Sequence, residues 1–199
     1  MSMEHAAVLR DWDVECIGGF SHNAQAVAKK LKPGGRLFGL TKGEFSLLDL
    51  LRGLLKVTGP ADVTISTWTA GIRDARNARW LLRKGEIRSL CFLVDRSFAQ
   101  RQPGYARKLA AAFGDDCVRY ARTHAKFAML RNEGWNVCVR SSMNLNKNTR
   151  IEQFDIDDDW RLCDFLQGHV DEMFETTPGG WDLDDRSVWR AFKRARGPK

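Results

Sequence analysis

Histidine is scarce in this chain. Its 199 residues hold four, at positions 5, 22, 124 and 169, and none forms with cysteine the short-spaced cluster that a zinc site needs, so no metal is expected. The five cysteines (16, 91, 117, 138, 163) make no C-x-x-C pair and are odd in number. They lie mostly in apolar runs such as SLCFLV and read as reduced packing residues rather than as a disulfide frame. No stretch approaches the ~20 apolar residues of a membrane span. The opening MSMEHAAVLRDWDVE lacks the positive-then-apolar order of an export signal, so a cytoplasmic location without membrane attachment is expected. Internal repeats and low-complexity tracts are missing too. Acidic residues are the minority charge, 25 against 32 Lys plus Arg, and the formal +7 favours an anionic partner such as nucleic acid.

A hydrophobic share of 43% with 29% charged residues is that of a folded globular chain. FSHNAQAVAKKLKPGGR offers cap candidates Ser21 and Asn23, an Ala-rich helical stretch and the stop Pro33-Gly34-Gly35. From Glu44, Leu47, Leu48, Leu51, Leu54 and Leu55 recur at helical spacing until Gly59-Pro60, after which the β-branched DVTISTWT predicts a strand. The alternation repeats, with IRDARNARWLLRKG as helix and IRSLCFLVD as a strand covered on both faces. A break at 102–104 precedes the helix YARKLAAAF. CVRYARTHAKFAML and WNVCVRSSM then read as strands that can pair as a hairpin across the turn 131–134. Leu162, Phe165, Leu166, Val170 and Met173 form the stripe of a later helix, with Asp157 to Asp159 near its positive end. Such alternation implies an α/β domain with a mixed sheet whose sites lie beyond strand ends.

One stretch stands out. If 123–130 is a strand, His124 and Lys126 share a face while Ala125, Phe127 and Met129 take the other. A lysine is rarely buried unpaired, and a histidine beside it resists protonation, so the pair makes sense around an anion such as phosphate. For a lone H-x-K the more ordinary reading is a histidine bonded to a neighbouring loop and a lysine reaching solvent, so spacing alone does not decide. Downstream, VRSSMNLNKNTRIEQF ends an apolar strand in small donors, Ser141, Ser142, Asn144 and Asn146, followed by the carboxylate Glu152.

Taken together, H-A-K at 124–126, S-S-M-N at 141–144 and Glu152 resemble the phospholipase D superfamily, whose pattern is H-x-K-x4-D followed by G-S/T-x-N. Arg131 stands where that pattern has aspartate, and Ser141 where it has glycine. The resemblance implies a phospholipase D-like mixed β-sheet sandwiched by helices over 44–177, with an N-terminal extension (1–43) packed on it and a basic C-terminal tail helix (178–199). It implies a metal-independent, cofactor-free phosphodiesterase in which His124 attacks phosphorus to give a phosphohistidine. Lys126, Asn144 and Ser142 would bind the phosphoryl oxygens, and Glu152 would accept from the other ring nitrogen of His124. Such chemistry needs a second histidine on the leaving oxygen. His5, His22 and His169 are not followed by x-Lys, so the resemblance implies a homodimer that pools two single motifs.

Arg73, Arg76, Arg79 and Arg83 recur at helical intervals, and with Arg140 and Lys147 they are candidate nucleic-acid contacts, although a solvated helix face has the same pattern. The tail adds Arg190, Lys193, Arg194 and Arg196; Trp68, Trp135 and Trp189 can stack bases, but Trp68 and Trp189 read as packing residues. Nucleic acid, DNA before RNA, is therefore the expected substrate. The alternatives are a silent nucleic-acid-binding protein of the same fold and a phosphatidyl transferase or phospholipase.

Overall fold

The computed structural model describes residues 14–181; His5, the 1–13 part of the expected extension and the 182–199 part of the expected tail helix lie outside them. Strand β1 (Val14–Phe20) leads into α1 (Ala24–Ala28), started by Asn23, whose side-chain oxygen accepts from the Gln25 and Ala26 amides at 2.9 and 3.1 Å. After Gly34, which turns the chain at φ +68°, comes β2 (Arg36–Thr41). Helix α2 (Leu47–Thr58) opens on a reciprocal cap. The Ser46 amide donates to Asp49 Oδ2 at 2.9 Å, and the Asp49 amide to Ser46 Oγ at 3.2 Å. The five leucines whose spacing predicts this helix are all buried. Next come β3 (Ala61–Thr67), α3 (Ile72–Arg83), β4 (Ile87–Asp95), α4 (Arg96–Arg101) and α5 (Pro103–Phe113). The described residues close with β5 (Val118–Ala121), β6 (Phe127–Arg131), β7 (Asn136–Ser141), β8 (Glu152–Asp158) and α6 (Trp160–Thr176).

All eight strands join one sheet in the order β1-β2-β8-β7-β6-β3-β4-β5. The sheet is mixed, as expected: β6 and β8 run against the other six. Alternation along β6 shows how its faces are covered. Ala128 and Leu130 join the core beneath α1 to α5, whereas Phe127 and Met129 pack with Cys138 against Cys163, Val170 and Met173 of α6. The hairpin of β6 and β7 forms, closed by Asn132, whose side chain accepts from the Gly134 and Trp135 amides at 3.0 Å each.

Several expectations are corrected. The expected strand over 123–130 begins only at Phe127, and 118–121 is a separate strand that pairs with β4. Residues 14–41, placed in an extension, supply β1 and β2 to the same sheet, with β2 antiparallel to β8. Pro103 opens α5 instead of breaking the chain, since its missing N–H costs nothing at a first helical position. Phe165 is 74% exposed, and Cys163 takes its place on the buried stripe of α6. Of the three aspartates, only Asp159 caps α6, accepting from the Arg161 amide at 2.8 Å; Asp157 and Asp158 belong to β8.

Candidate active site at one end of the sheet

By register, the C-terminal ends of β1 to β5 and β7 and the N-terminal ends of β6 and β8 lie along the same end of the sheet. The link between β5 and β6 runs across it. These strands are consecutive in the chain but have β4 and β3 between them, three spacings, or ~14 Å. Residues 122–126 have the reach to cross that distance, six steps from Ala121 to Phe127 at up to ~3.3–3.6 Å each. The segment is therefore a strap over the strand ends, which explains why it cannot continue as a strand.

The strap is pinned to each strand that it passes. The Thr123 amide donates to Asp95 Oδ2 at the end of β4 (3.2 Å), and the Ser66 hydroxyl of β3 donates to the Ala125 carbonyl (2.8 Å). The Ser141 amide of β7 donates to the Lys126 carbonyl (3.2 Å). His124 and Lys126 are thereby held at the sheet end, the first exposed and the second half-buried. Neither side chain has a hydrogen bond or ion pair to another described residue. The His124 ring instead lies 5.7 Å from that of Trp68, tilted by 52°, and the Arg101 guanidinium stands 4.0 Å from the Trp68 centroid.

The link from β7 to β8 closes the other side. Ser141 Oγ donates to the Gln153 carbonyl (2.6 Å) and accepts from the Met143 amide (3.0 Å). No described non-glycine residue has positive φ, so serine sits without left-handed strain at the position where the pattern has glycine. Ser142 donates to Glu152 Oε2 and accepts from the Gln153 amide (3.0 Å), and Asn148 Nδ2 donates to Glu152 Oε1 (2.8 Å). Leu145 stitches this link to the β3–α3 loop: its amide donates to Thr67 Oγ1 at 3.2 Å, and its carbonyl accepts from the Gly71 amide at 2.7 Å. Asn144 and Asn146 flank that stitch, each with a buried side-chain oxygen that has no hydrogen-bond partner.

Of the sequence-predicted residues, His124, Lys126, Ser142, Asn144 and Glu152 all come to this end. The bond expected from His124 to Glu152 does not form, because both carboxylate oxygens are turned to Ser142 and Asn148. Arg131 lies at the far end of β6, bonded to Asn136 Oδ1 (3.1 Å) and Asp164 Oδ1 (2.5 Å). It ties the hairpin to α6 and touches no site residue. Arg140 is turned to Asp157, with 2.6 Å between Nη2 and Oδ2, and Arg36 approaches the same carboxylate at 2.6 Å. Burial pushes the Asp157 carboxyl up, opposed by the two guanidiniums. Arg73, Arg76, Arg79 and Arg83 are exposed on α3, and Lys147 on the β7–β8 link.

Sequence reasoning missed Trp68 beside His124, Arg101 over the Trp68 ring, and Asp95 beneath the strap. The aspartate that closes an apolar strand was the signal for Asp95. His22, at the end of β1, is four strand spacings from β6, or roughly 19 Å. Its Nδ1 lies 3.3 Å from Glu44 Oε1, and His169 is exposed on α6. One chain thus brings one described histidine to the site. Among the described residues, no group of three or more His, Cys, Asp or Glu is placed to hold a metal ion. No described helix is long and apolar enough to cross a membrane.

No protein-family model matches the chain, and no curated protein matches it by sequence. Among solved structures, NucT from Helicobacter pylori is similar with a TM-score of 0.50 at 17% identity, over 73% of this chain and 99% of its own. Nuc, a phospholipase D family member from Salmonella typhimurium, gives 0.46 at 12% over 73% and 97%. Polyphosphate kinase from Porphyromonas gingivalis gives 0.44 at 13% identity, over 67% of this chain and 26% of its own. At such identities the likeness concerns architecture: the chain has the helix-flanked mixed sheet of the phospholipase D fold.

Proposed function

We propose that this protein is a phosphodiesterase of nucleic acid, DNA before RNA, that works through a covalent phosphohistidine at His124. The observation that carries the reading is one juxtaposition. An imidazole and an unpaired ammonium share a strap pinned across the sheet end, beside a link whose Asn144 side-chain oxygen is buried without a partner. An unpaired cation and a spare amide held near a nucleophile are what a phosphoryl group in transit needs.

In this reading an imidazole nitrogen of His124 forms the P–N bond as the bond to the leaving oxygen breaks, and that oxygen takes a proton. Water then attacks phosphorus, the P–N bond breaks, and the imidazole leaves with its electron pair. Lys126 offsets charge on the non-bridging oxygens, helped by the Asn144 amide. Glu152 acts through the loop: by holding Ser142 and Asn148 it fixes the link that carries Asn144. The proton for the leaving oxygen comes from His124 of a second copy, because the other described histidines stand away from the site.

The test is cleavage of labelled DNA in excess chelator by the full chain and its His124→Ala variant, with sizing of both in solution. Turnover by the natural chain, a loss of at least ~10³-fold in the variant, and a mass near twice 22.6 kDa for both are expected. Equal cleavage by the two proteins would remove His124 from the mechanism. Salt-sensitive binding without cleavage would favour the silent binding protein.

A further inference from the structure

Two adjoining cavities make one trough that starts beside His124. The first, of about 640 Å³, lies among Thr69, Arg73, Asp74, Gln102, Asn146 and Lys147. The second, of about 300 Å³, runs between α3 and α5 over Ala75, Phe98, Leu109 and Ala112, with Arg76, Arg79 and Lys108 exposed along it. Ala70, Gly71, Ile72 and Tyr105 line both, so the two lie side by side against shared residues. The near end of the trough is close to the site. Thr69 follows Trp68, whose ring lies 5.7 Å from that of His124, and Gln102 follows Arg101, which stands over the Trp68 ring; neighbouring Cα atoms are about 3.8 Å apart.

The lining is built for an anion with an apolar flat part. Arg76, Arg79, Lys108 and Lys147 have no hydrogen bond or ion pair to any described residue, so their charge is free for a ligand. Helix α3 follows Gly71 without a side-chain cap, which leaves first-turn amide donors in the 72–74 stretch that lines the trough. The one carboxylate in the lining, Asp74, is 2% exposed, and its Oδ1 is 3.6 Å from Arg73 Nε. Its Oδ2 is buried without a hydrogen-bond partner, a group suited to an N–H of a ligand. Below the cations the floor is apolar, and Tyr105 offers a ring that is 45% exposed. Phosphate alone needs no such floor. The faces of a base do, and a duplex keeps those faces stacked inside itself.

We propose that this trough holds an unpaired base and its flanking phosphates, next in line to the phosphodiester at His124, so that the enzyme grips single-stranded nucleic acid there. The base lies on the Ile72, Ala75 and Leu109 floor against Tyr105, and the phosphates meet Arg76, Arg79 and Lys108. The inference rests on the phosphodiesterase reading for what lies beside the trough, but not for the grip itself.

The experiment measures anisotropy of a fluorescein-labelled oligothymidylate and of a labelled duplex of equal length, over a range of salt. It uses the natural chain, Arg79→Glu, and Ala112→Trp, which fills the floor; thermal unfolding checks that each variant is folded. Hydrolysis of bis-p-nitrophenyl phosphate, too small to reach the trough, is followed in parallel. Expected are at least tenfold tighter binding of the single strand, a loss of about tenfold or more in each variant, and unchanged hydrolysis of the small diester. The salt slope should also fall by at least about 0.7 in Arg79→Glu. Equal affinity for duplex and single strand, or full single-strand affinity in folded Ala112→Trp, would overturn the trough whether or not the diester is hydrolysed. Variant-sensitive binding without any hydrolysis would uphold the trough and remove the phosphodiesterase reading.

Discussion

His124 and Asp95 show how a reactive side chain is positioned by a residue that no motif includes. One Asp95 oxygen accepts from the Thr123 amide at 3.2 Å, and the other from the Ser97 amide at 2.9 Å, so a single carboxylate holds the strap and caps α4. Asp95→Ala is expected to cost ~1 kcal/mol in stability as a lost cap. Turnover should fall by at least about tenfold while oligonucleotide affinity stays within about twofold, because the change moves His124 without touching a binding group. Thermal unfolding and steady-state kinetics on one preparation check this, and unchanged turnover would show that the strap holds itself. At this scale the sequence was legible where chemistry is concentrated in a few adjacent residues: His124 with Lys126, and Ser142 with Asn144. Trp68 could not be read as a neighbour of His124, since 56 positions separate them and only the sheet brings them to 5.7 Å.

Among the elements, the turn between β2 and α2 reaches the site indirectly. Gly43 has φ +84°, and a Cβ there would overlap the Asn148 carbonyl oxygen. Asn148 in turn donates to Glu152 at 2.8 Å. Gly43→Ala is therefore expected to cost at least about 1 kcal/mol and to lower turnover together with stability, by pushing away the link that carries Asn144. Unaltered kinetics in a destabilised Gly43→Ala protein would separate the turn from the site. Helices α2, α3 and α6 were readable because their residue spacing, and in α2 and α6 the cap as well, lies within one or two turns of chain. Strand β8 was not. Its Phe154 and Ile156 alternate with aspartates, and Asp157 becomes tolerable in a strand only when Arg36 of β2 and Arg140 of β7 arrive on either side. β1 and β2 escaped for a related reason: β2 gains its hydrogen bonds from β8, distant in the chain, and β1 pairs only with β2.

For the whole molecule, the end of the sheet opposite the site carries structural charge pairs. There Arg88 of β4 holds Glu133 of the hairpin turn with bonds of 2.6 and 2.9 Å. The Arg88 hydrogen bonds lower the Glu133 carboxyl from 4.5 to about 2. A carboxyl depressed in the folded state stabilises it fully above its unfolded value, and that gain is lost as pH falls through the folded one. Glu133→Gln should therefore unfold at a lower temperature than the natural chain at about pH 6, with the difference closing between pH 4.5 and about 2. Scans across that range check it. A gap that persists near pH 2 would mean that packing of the turn, not the ion pair, is the cause. Activity should not respond at neutral pH, because the pair sits at the other end of the strands.

The sequence by itself determined the elements whose rules are local: which leucines bury α2, that Asn23 can cap α1, that a helix follows the 157–159 aspartates, and that an imidazole and an ammonium stand two residues apart. The tertiary structure alone decided that β6 is inserted between β7 and β3 rather than continuing from β5. That insertion makes 122–126 a strap, with Trp68 beside His124, Asp95 bonded to the Thr123 amide and the Ser141 amide bonded to the Lys126 carbonyl. The reason is that helix spacing and caps draw their energy from residues within a turn of each other. Strand order draws it from backbone pairing between segments up to a hundred or more residues apart, as for β2 and β8, which leaves no local trace in either partner.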